Sequence, residues 1–474
     1  MMQSLSAIVP MACVTAAAIA AMVLEAFRYP GERMPIAGLG VVGLLGAGIA
    51  AILLWNDNAN SFGVVAADHF GLFVTLVIVV VGLLSLAISG PTIRRERLPE
   101  GEYYALMLFA AAGMMLMATA TDLLVIFLAL EVLSLAVYVL TGIRRTSITA
   151  AEAALKYFLL GAFSSAFFLY GIAFVYGLTG GTRLAGLADL ATKGGRLPLV
   201  AIGLLLVGFA FKVSAVPFHM WTPDAYEGAP PAVAGFMSTG VKAAAFAAFV
   251  RVFMIGLAPM HAEWDGVLSV VTAATMIVGT VVGVAQSSVK RMLAYSSIAH
   301  GGYLLLALLS GEDVGRGAIL FYLLSYAITN LGAFGVIAVL ETEDRPNDSV
   351  SDYAGLWNTR PALAALMTVF LLSLGGFPPL AGFVAKWYVF TAAVQAGYTW
   401  LAIIGVLTSV VSVFFYLRIV VMMYMREDGA PAAFPPIPAI AGAALAVSAI
   451  LIFYLGILPT RVLAWAAASL TSRF

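Results

Sequence analysis

Residues 208–224 read Gly208-Phe-Ala-Phe-Lys-Val-Ser-Ala-Val-Pro-Phe-His-Met-Trp-Thr-Pro-Asp224, which places Lys212 in an apolar run five residues before Pro217. Proline lacks a backbone N–H donor and clashes with the carbonyl four residues earlier, so a helix through this stretch must break near Pro217. In lipid, the carbonyls that such a break frees need partners from protein or water. The stretch therefore predicts an interrupted membrane helix that lines a cavity and carries a lysine beside the break.

The composition of the whole chain is that of a membrane protein. Of 474 residues, 62% are hydrophobic and 10% are charged, against roughly 45–50% and about 25% in soluble domains. Cys13 is the only cysteine, which excludes a disulfide, a Cys-ligated zinc ion and an iron–sulfur cluster held by this chain alone. The net charge is zero and the sequence has no phosphate-binding loop, so neither nucleic acid nor ATP is an expected ligand.

About fourteen apolar stretches follow one another along the chain, each close to the roughly 20 residues that cross a bilayer. The expected spans are residues 5–26, 35–55, 69–90, 103–120, 122–141, 154–178, 198–221, 229–255, 267–288, 292–310, 317–340, 361–398, 400–424 and 437–458. We therefore predict an all-α polytopic membrane protein. The first span is expected not to be a cleaved signal, because its apolar run is too long and no Lys or Arg precedes it.

The basic residues of the connections predict the orientation of the chain. With the N-terminus outside, twelve of them lie in inward connections and seven in outward ones, which favours both termini on the outer side. The inward set is Arg28, Arg33, Arg94, Arg95, Arg97, Arg144, Arg145, Lys290, Arg291, Arg345, Arg360 and Arg426. The outward set is Arg183, Lys193, Arg196, Arg251, Arg316, Arg461 and Arg473.

Five basic residues remain within the spans: Lys156, Lys212, Lys242, Lys386 and Arg418. A lysine at the bilayer centre costs roughly 2.5–3.5 kcal/mol, so Lys212, Lys242 and Lys386 are expected to be there for function. Arg418 lies within two turns of a span end and is expected to reach the lipid headgroups. Lys156 lies near the start of its span, and the same explanation is open for it.

A single acid, Glu131, falls near the centre of an apolar run, in Leu-Ala-Leu-Glu-Val-Leu-Ser at residues 128–134. With several lysines and one carboxylate in the interior, the charge state of each lysine depends on its distance from Glu131. Lysines poised between two protonation states are the basis of a proton relay. The structural alternative is a buried ion pair that only fixes helix packing.

A second interruption is expected at residues 374–387, Leu-Gly-Gly-Phe-Pro-Pro-Leu-Ala-Gly-Phe-Val-Ala-Lys-Trp, about 161 residues after the first when counted from Pro217 to Pro378. The spacing predicts two five-helix units, and an odd number of helices inverts the second unit relative to the first. Lys212 and Lys386 are then counterparts. The predicted segments are residues 1–102 (three helices), 103–256 (first unit), 257–426 (second, inverted unit) and 427–474 (last helix and tail).

Histidine supplies a connection between the two units. His300 lies in the span between them, where an imidazole can pass protons in either direction. The alternative is an ordinary packed and hydrogen-bonded histidine. His219 lies at a span end, either as a group that takes up protons or as an interfacial residue.

Three segments, taken together, resemble the antiporter-like membrane subunits of NADH:quinone oxidoreductase, respiratory complex I. They are residues 212–233 followed by Lys242, residues 290–303 and residues 375–386. The likeness extends over nearly the whole chain. The family's L-type subunit has a long C-terminal extension, whereas this chain ends about sixteen residues after the last span, and the M-type subunit usually has glutamate where Lys386 stands. The chain therefore resembles subunit N, the bacterial relative of mitochondrial subunit 2.

The resemblance implies roles at matching positions. Glu131 and Lys212 would be the coupled pair of one half-channel, Lys242 the connecting base, His300 the bridge, Lys386 the outlet and Lys156 a further embedded lysine. It implies that NADH, FMN, iron–sulfur clusters and quinone belong to partner subunits and that this chain binds no cofactor. The expected partners are other membrane subunits of the complex and lipids, in a bacterial inner membrane. A subunit of a cation/proton antiporter or of a related membrane-bound hydrogenase, and a purely structural spacer, remain alternatives.

Overall fold

A computed structural model of the chain describes residues 5–27, 35–342, 348–426 and 436–469, without the side chains of residues 312–314. The α-helices are α1 (Val9–Ala26), α2 (Ile36–Leu53), α3 (His69–Glu96), α4 (Glu100–Thr119), α5 (Leu123–Thr141), α6 (Ile148–Thr179), α7 (Leu197–Lys212), α8 (Trp221–Gly228), α9 (Pro231–Phe236), α10 (Lys242–Phe249), α11 (His261–Val284), α12 (Val289–Leu309), α13 (Glu312–Leu340), α14 (Leu356–Thr359), α15 (Pro361–Gly375), α16 (Ala381–Gln395), α17 (Thr399–Met425), α18 (Ala439–Ile457) and α19 (Thr460–Ala468). A small antiparallel hairpin, β1 (Ala59–Ser61) and β2 (Val65–Ala67), joins α2 to α3 and was not predicted from the sequence.

The helices agree with the predicted number of spans. In the described part of the chain, twelve helices are long and apolar enough to cross a membrane, and two shorter apolar helices, Leu197–Lys212 and Pro361–Gly375, accompany them. The prediction of an all-α polytopic protein with about fourteen spans is confirmed. The inverted relation of the two five-helix units and the four-segment division of the chain stay predictions.

Both predicted interruptions are present. The first runs from the end of α7 at Lys212 to the start of α8 at Trp221, and the second from the end of α15 at Gly375 to the start of α16 at Ala381. At the first break Trp221 Nε1 donates to the carbonyl of Phe211, at 3.1 Å, and so satisfies one of the freed acceptors. Lys212 precedes its break, whereas Lys386 follows its own.

Three helices form the centre of the bundle and are almost wholly buried: Pro231–Gly256, Val289–Leu309 and Gly315–Leu340. The first of them contains α9 and α10 and has two π-helical turns, Met237–Val241 and Val250–Gly256, one on each side of α10. Around this centre, α1, α2, α6, α17 and α18 leave many large apolar side chains exposed. Such faces are suited to lipid or to other membrane subunits.

A buried ion pair at one end of the bundle corrects the placement of Arg251. The guanidinium is wholly buried, and its two terminal nitrogens donate to the carboxylate oxygens of Asp68 at 2.6 Å and 2.9 Å. Its Nε donates to the carbonyl of Ala118 at 2.7 Å. Asp68 also caps α3 by accepting from the backbone of Gly71. Arg251 is therefore not part of an outward connection, and Glu131 is not the only acid inside the protein.

Other charges of the connections also lie against the protein. Lys290 is buried and pairs with Asp348 at 3.2 Å, and Arg316 is buried as well. Buried Glu341 accepts from Arg95 and Arg144 and joins the ends of α3 and α13. Arg28, Arg33, Arg345 and Arg473 lie outside the described residues. The orientation of the chain thus stays a prediction.

Arg418 does not simply extend towards the headgroups. Its side chain donates to the carbonyl of Val284 at 3.2 Å and to that of Gln286. These carbonyls lie at the C-terminal end of α11, where the backbone has acceptors without helical partners. Arg418 therefore caps α11.

Candidate functional site

Lys212 lies at the end of α7, in a pocket of hydroxyl and aromatic groups. Its Nζ donates to Ser134 Oγ at 2.8 Å and lies 3.5 Å from Tyr157 Oη, and only 3% of the residue is exposed. The ammonium also lies 5.6 Å from the ring centre of Tyr157, which stacks on Trp221 at 4.1 Å. The indole at the far side of the break thus supports the ring that contacts the lysine.

Glu131 lies one helical turn before Ser134 on α5, near Lys212 but not bonded to it. No oxygen of Glu131 lies within 4.0 Å of the lysine Nζ, although the two groups are within electrostatic range of each other. Glu131 Oε1 is buried and has no hydrogen-bond partner. The expected pair is therefore open in this conformation, with Ser134 in contact with the lysine.

Lys242, at the start of α10, is also buried. Its Nζ donates to Ser297 Oγ at 2.7 Å and to the carbonyl of the same residue, and it lies 5.8 Å from the ring centre of Tyr326. A methyl group on Gly301 would be 3.6 Å from Lys242 Nζ and 3.1 Å from the carbonyl oxygen of Val213. Lys242 therefore lies beside the opened helix end that follows Lys212.

His300 occupies the space between Lys242 and Lys386. Its Nδ1 is 2.6 Å from Tyr322 Oη, its Nε2 is 3.4 Å from Tyr416 Oη, and its ring centre is 5.0 Å from that of Tyr326. It is within electrostatic range of both lysines. Both ring nitrogens thus face hydroxyl groups, the arrangement that a proton-passing imidazole needs.

Lys386 binds the free backbone carbonyls at the second helix break. Its Nζ donates to the carbonyls of Leu374 and Gly375, at 2.8 Å and 3.1 Å, and to Ser409 Oγ at 2.8 Å. These carbonyls form the C-terminal end of α15, where the helix dipole favours a positive charge. The ammonium also lies 5.3 Å from the ring centre of Tyr303, which in turn contacts His300.

Lys156 does not lie among these groups. It is at the surface of the chain, with 46% of its side chain exposed, and pairs with Glu152 at 2.6 Å and Asp224 at 2.9 Å. Asp224 also binds Arg291. Lys156 thus lies on a face of α6 that the rest of this chain does not cover, and its role as a further embedded lysine stays a prediction. His219 is half-buried within the first break, and its Nδ1 has no hydrogen-bond partner.

We call Lys212, Lys242, His300 and Lys386 the buried row. Sequence reasoning found these residues but missed the serine and tyrosine side chains that contact them, which are Ser134, Ser297, Tyr303, Tyr326 and Ser409. Part of the signal was present, since Ser297 and Tyr303 share the segment of His300, and Tyr322 and Tyr326 are spaced to share one helix face. In the described part of the chain, no group of three or more His, Cys, Asp or Glu side chains is placed to hold a metal ion.

Comparison with known proteins finds relatives over nearly the whole chain. The family described as "NADH:quinone oxidoreductase/Mrp antiporter, TM" matches residues 120–412. NADH-quinone oxidoreductase subunit N of Trichlorobacter lovleyi is 45% identical over 98% of this chain and 96% of its own length. A chain of respiratory complex I from Thermus thermophilus is 37% identical, with a TM-score of 0.81 over 97% of this chain and 99% of that one.

The fold extends beyond complex I. A chain of the Mrp complex from Dietzia sp. has a TM-score of 0.84 over 99% of this chain and 97% of its own length, but only 23% identity, so it shows the fold alone. The sequence likeness over the full length is the stronger finding, and it agrees with the resemblance inferred from the three segments. The chain belongs to the antiporter-like membrane subunits of NADH:quinone oxidoreductase, as a member of the subunit N family.

Proposed function

We propose that this chain translocates protons as a membrane subunit of an NADH:quinone oxidoreductase and takes no part in the redox chemistry itself. The observation that supports this most strongly is the buried row, in which three lysines lie in the interior with His300 among them. Each lysine contacts a serine hydroxyl and the face of a tyrosine ring. A row of groups that can gain and lose protons, each in contact with a hydroxyl side chain, is suited to proton transfer.

The mechanism we propose begins at Glu131. Redox work in other subunits would change the electrostatic field and close or open the Glu131–Lys212 pair. Closing a pair to about 4 Å is worth on the order of 4 kcal/mol at an effective dielectric constant of about 20. Moving one proton against 100 mV costs about 2.3 kcal/mol. Closure of the pair is therefore large enough to hold a proton on Lys212, and opening releases it towards Lys242.

The remaining row would carry the proton onward. Lys242 passes it through Ser297 and Tyr326 to His300, and Lys386 releases it on the other side of the membrane. Water must fill the two half-channels in alternation, because a continuous hydrogen-bonded path would let protons leak. We place both termini on the outer side of a bacterial inner membrane, in accordance with the basic residues of the connections. Flavin, iron–sulfur clusters and quinone would belong to partner subunits.

Lys242→Met tests the connecting role. We expect the variant to assemble with its partners and to lose at least about tenfold in proton translocation, since a positioned proton-transfer group contributes roughly 10²–10⁴-fold to a rate. Proton uptake is measured beside NADH oxidation in membrane vesicles. Lys193→Met, at an exposed lysine, is the matched control and should leave both rates unchanged. Normal proton translocation by Lys242→Met would remove Lys242 from the pathway and favour a structural spacer.

A subunit of a cation/proton antiporter is the second candidate, because the family that matches residues 120–412 also includes Mrp antiporters, and a related membrane-bound hydrogenase is a further alternative. Copurification separates the candidates. A subunit of NADH:quinone oxidoreductase should be isolated with flavin- and iron–sulfur-bearing partners that oxidise NADH. An antiporter subunit should be isolated without them and should exchange cations for protons in vesicles that have no electron donor.

A further inference from the structure

We propose that a single water molecule, held between α5, α6 and α7, is the proton-exchange partner of Lys212, and that Ser164 of α6 is the residue that positions it. The proposal rests on the proposed function, because it assigns the exchange path of a lysine in the buried row. It adds a second residue of α6 beside Tyr157, which already contacts Lys212.

The site is a small cavity, here called the chamber, beside the Lys212 ammonium. Its volume is about 10 Å³, which is about the space that one water molecule needs. Its polar lining is Ser134, Tyr138, Ser164, Ser165 and Lys212. A buried water requires two to four polar partners, and this lining offers more than that.

Ser164 has no partner for its side chain within the protein. The residue is 5% exposed, and its Oγ makes no hydrogen bond. A buried hydroxyl without a partner is unfavourable, and buried polar groups in native proteins are paired with protein or water. Because Ser164 lines the chamber, a water there gives the hydroxyl the partner it lacks and connects it to Lys212.

Gly161 explains how the Tyr138 hydroxyl reaches α6 beside the chamber. A Cβ at this position would lie 1.9 Å from Tyr138 Oη and 2.8 Å from Tyr138 Cζ. Any larger residue would therefore push the tyrosine ring away from α6. The absence of a side chain at Gly161 lets the Tyr138 hydroxyl lie against α6, one turn before Ser164, and so form part of the lining.

The transfer conserves charge and atoms. Glu131 does not line the chamber in this open conformation, so the exchange takes place as the Glu131–Lys212 pair closes. An O–H bond of the protonated Glu131 carboxyl breaks as an O–H bond forms on the water, and the water gives a different proton to the neutral amine of Lys212, where an N–H bond forms. Glu131 becomes a carboxylate, Lys212 an ammonium and the water is regenerated, so the step needs no other reactant. Opening of the pair then releases the proton towards Lys242.

The test compares two substitutions at one position in the complete complex. Ser164→Ala removes the hydroxyl and leaves room for water, whereas Ser164→Val fills the chamber. We expect Ser164→Val to reproduce at least half of the loss of proton translocation caused by Lys212→Met, and Ser164→Ala to cause a smaller loss. Ser85→Ala is the matched control, because Ser85 Oγ is also buried and unpaired but lies on α3 and does not line the chamber.

The outcomes separate this proposal from the proposed function. Loss of translocation in Lys212→Met with normal translocation in Ser164→Val would overturn the chamber alone. Normal translocation in both variants would overturn the proposed function as well. If the Ser164 hydroxyl binds no water, Ser164→Ala and Ser85→Ala should have the same rate of proton translocation. That result would also contradict the proposal.

A second pair of variants tests whether the position of the Tyr138 ring beside Gly161 affects proton translocation. Gly161→Ala should lower proton translocation at least about threefold by displacing Tyr138, and adding Tyr138→Phe should restore part of it, because the atom in closest conflict is removed. A cryo-electron microscopy map of the complete complex should contain water density within hydrogen-bond distance of Ser164 Oγ. Absence of that density in a map that resolves other buried waters, or no recovery in the double variant, would contradict the proposal.

Discussion

Lys212→Met is expected to reduce proton translocation through this subunit to the level of a leak, at least about tenfold below the wild type. Methionine keeps the length and the apolar part of the side chain, and it removes the only group at the end of α7 that carries a proton. Proton uptake measured beside NADH oxidation in membrane vesicles, together with the amount of assembled complex, tests this expectation.

A second substitution separates charge from proton transfer. Lys212→Arg keeps the positive charge, but a guanidinium does not release its proton in a protein. If Lys212 only fixes helix packing through its charge, Lys212→Arg should translocate protons normally. If Lys212 belongs to a relay, both variants should fail while Lys193→Met remains active. Normal rates in Lys212→Arg would therefore contradict the relay.

The second large effect is expected at the buried ion pair of Arg251 and Asp68. Arg251→Met should lower the stability of the subunit by about 3–5 kcal/mol, because it removes the positive charge that neutralises the buried carboxylate of Asp68. The consequence should be a lower thermal transition of the purified complex and less subunit in the membrane. Both quantities can be measured on the wild type and the variant side by side.

Two controls identify the cause of the stability loss in Arg251→Met. Arg145→Met removes an ion pair with Glu102 whose side chains are 77% and 55% exposed, and such pairs contribute about 0.2–1 kcal/mol. The double variant Asp68→Leu with Arg251→Met should recover part of the stability, because it leaves neither charge unpaired. Equal loss in Arg145→Met and Arg251→Met would show that burial of the pair is not what matters.

The sequence was sufficient for the spans, the breaks and the residues of the buried row because each follows from a local rule. Apolar length predicts a span, proline predicts a break, and a lysine such as Lys242 in an apolar run predicts an interior charge. These rules need no knowledge of which helices are neighbours.

The sequence was insufficient wherever a neighbour decides the outcome. Arg251 was assigned to a connection because its carboxylate partner, Asp68, is 183 residues away in the chain. The exposed face of α6 that carries Lys156 was not predicted, because apolar length does not reveal which face of a helix is covered. The contact of Lys212 with Ser134 instead of Glu131 was not predicted either, because it depends on how α5 and α7 pack against each other.

The two π-helical turns in the central helix have a consequence for Lys242. A π turn holds about one residue more than an α turn, and one residue corresponds to about 100° of rotation about the helix axis. The turn at Met237–Val241 therefore sets the angle at which Lys242 leaves the helix towards Ser297. If that turn relaxed to α-helical winding, the helix would stay intact but the Lys242 ammonium would rotate away from Ser297. A change of winding in this one segment would then make or break the contact of Lys242 with Ser297.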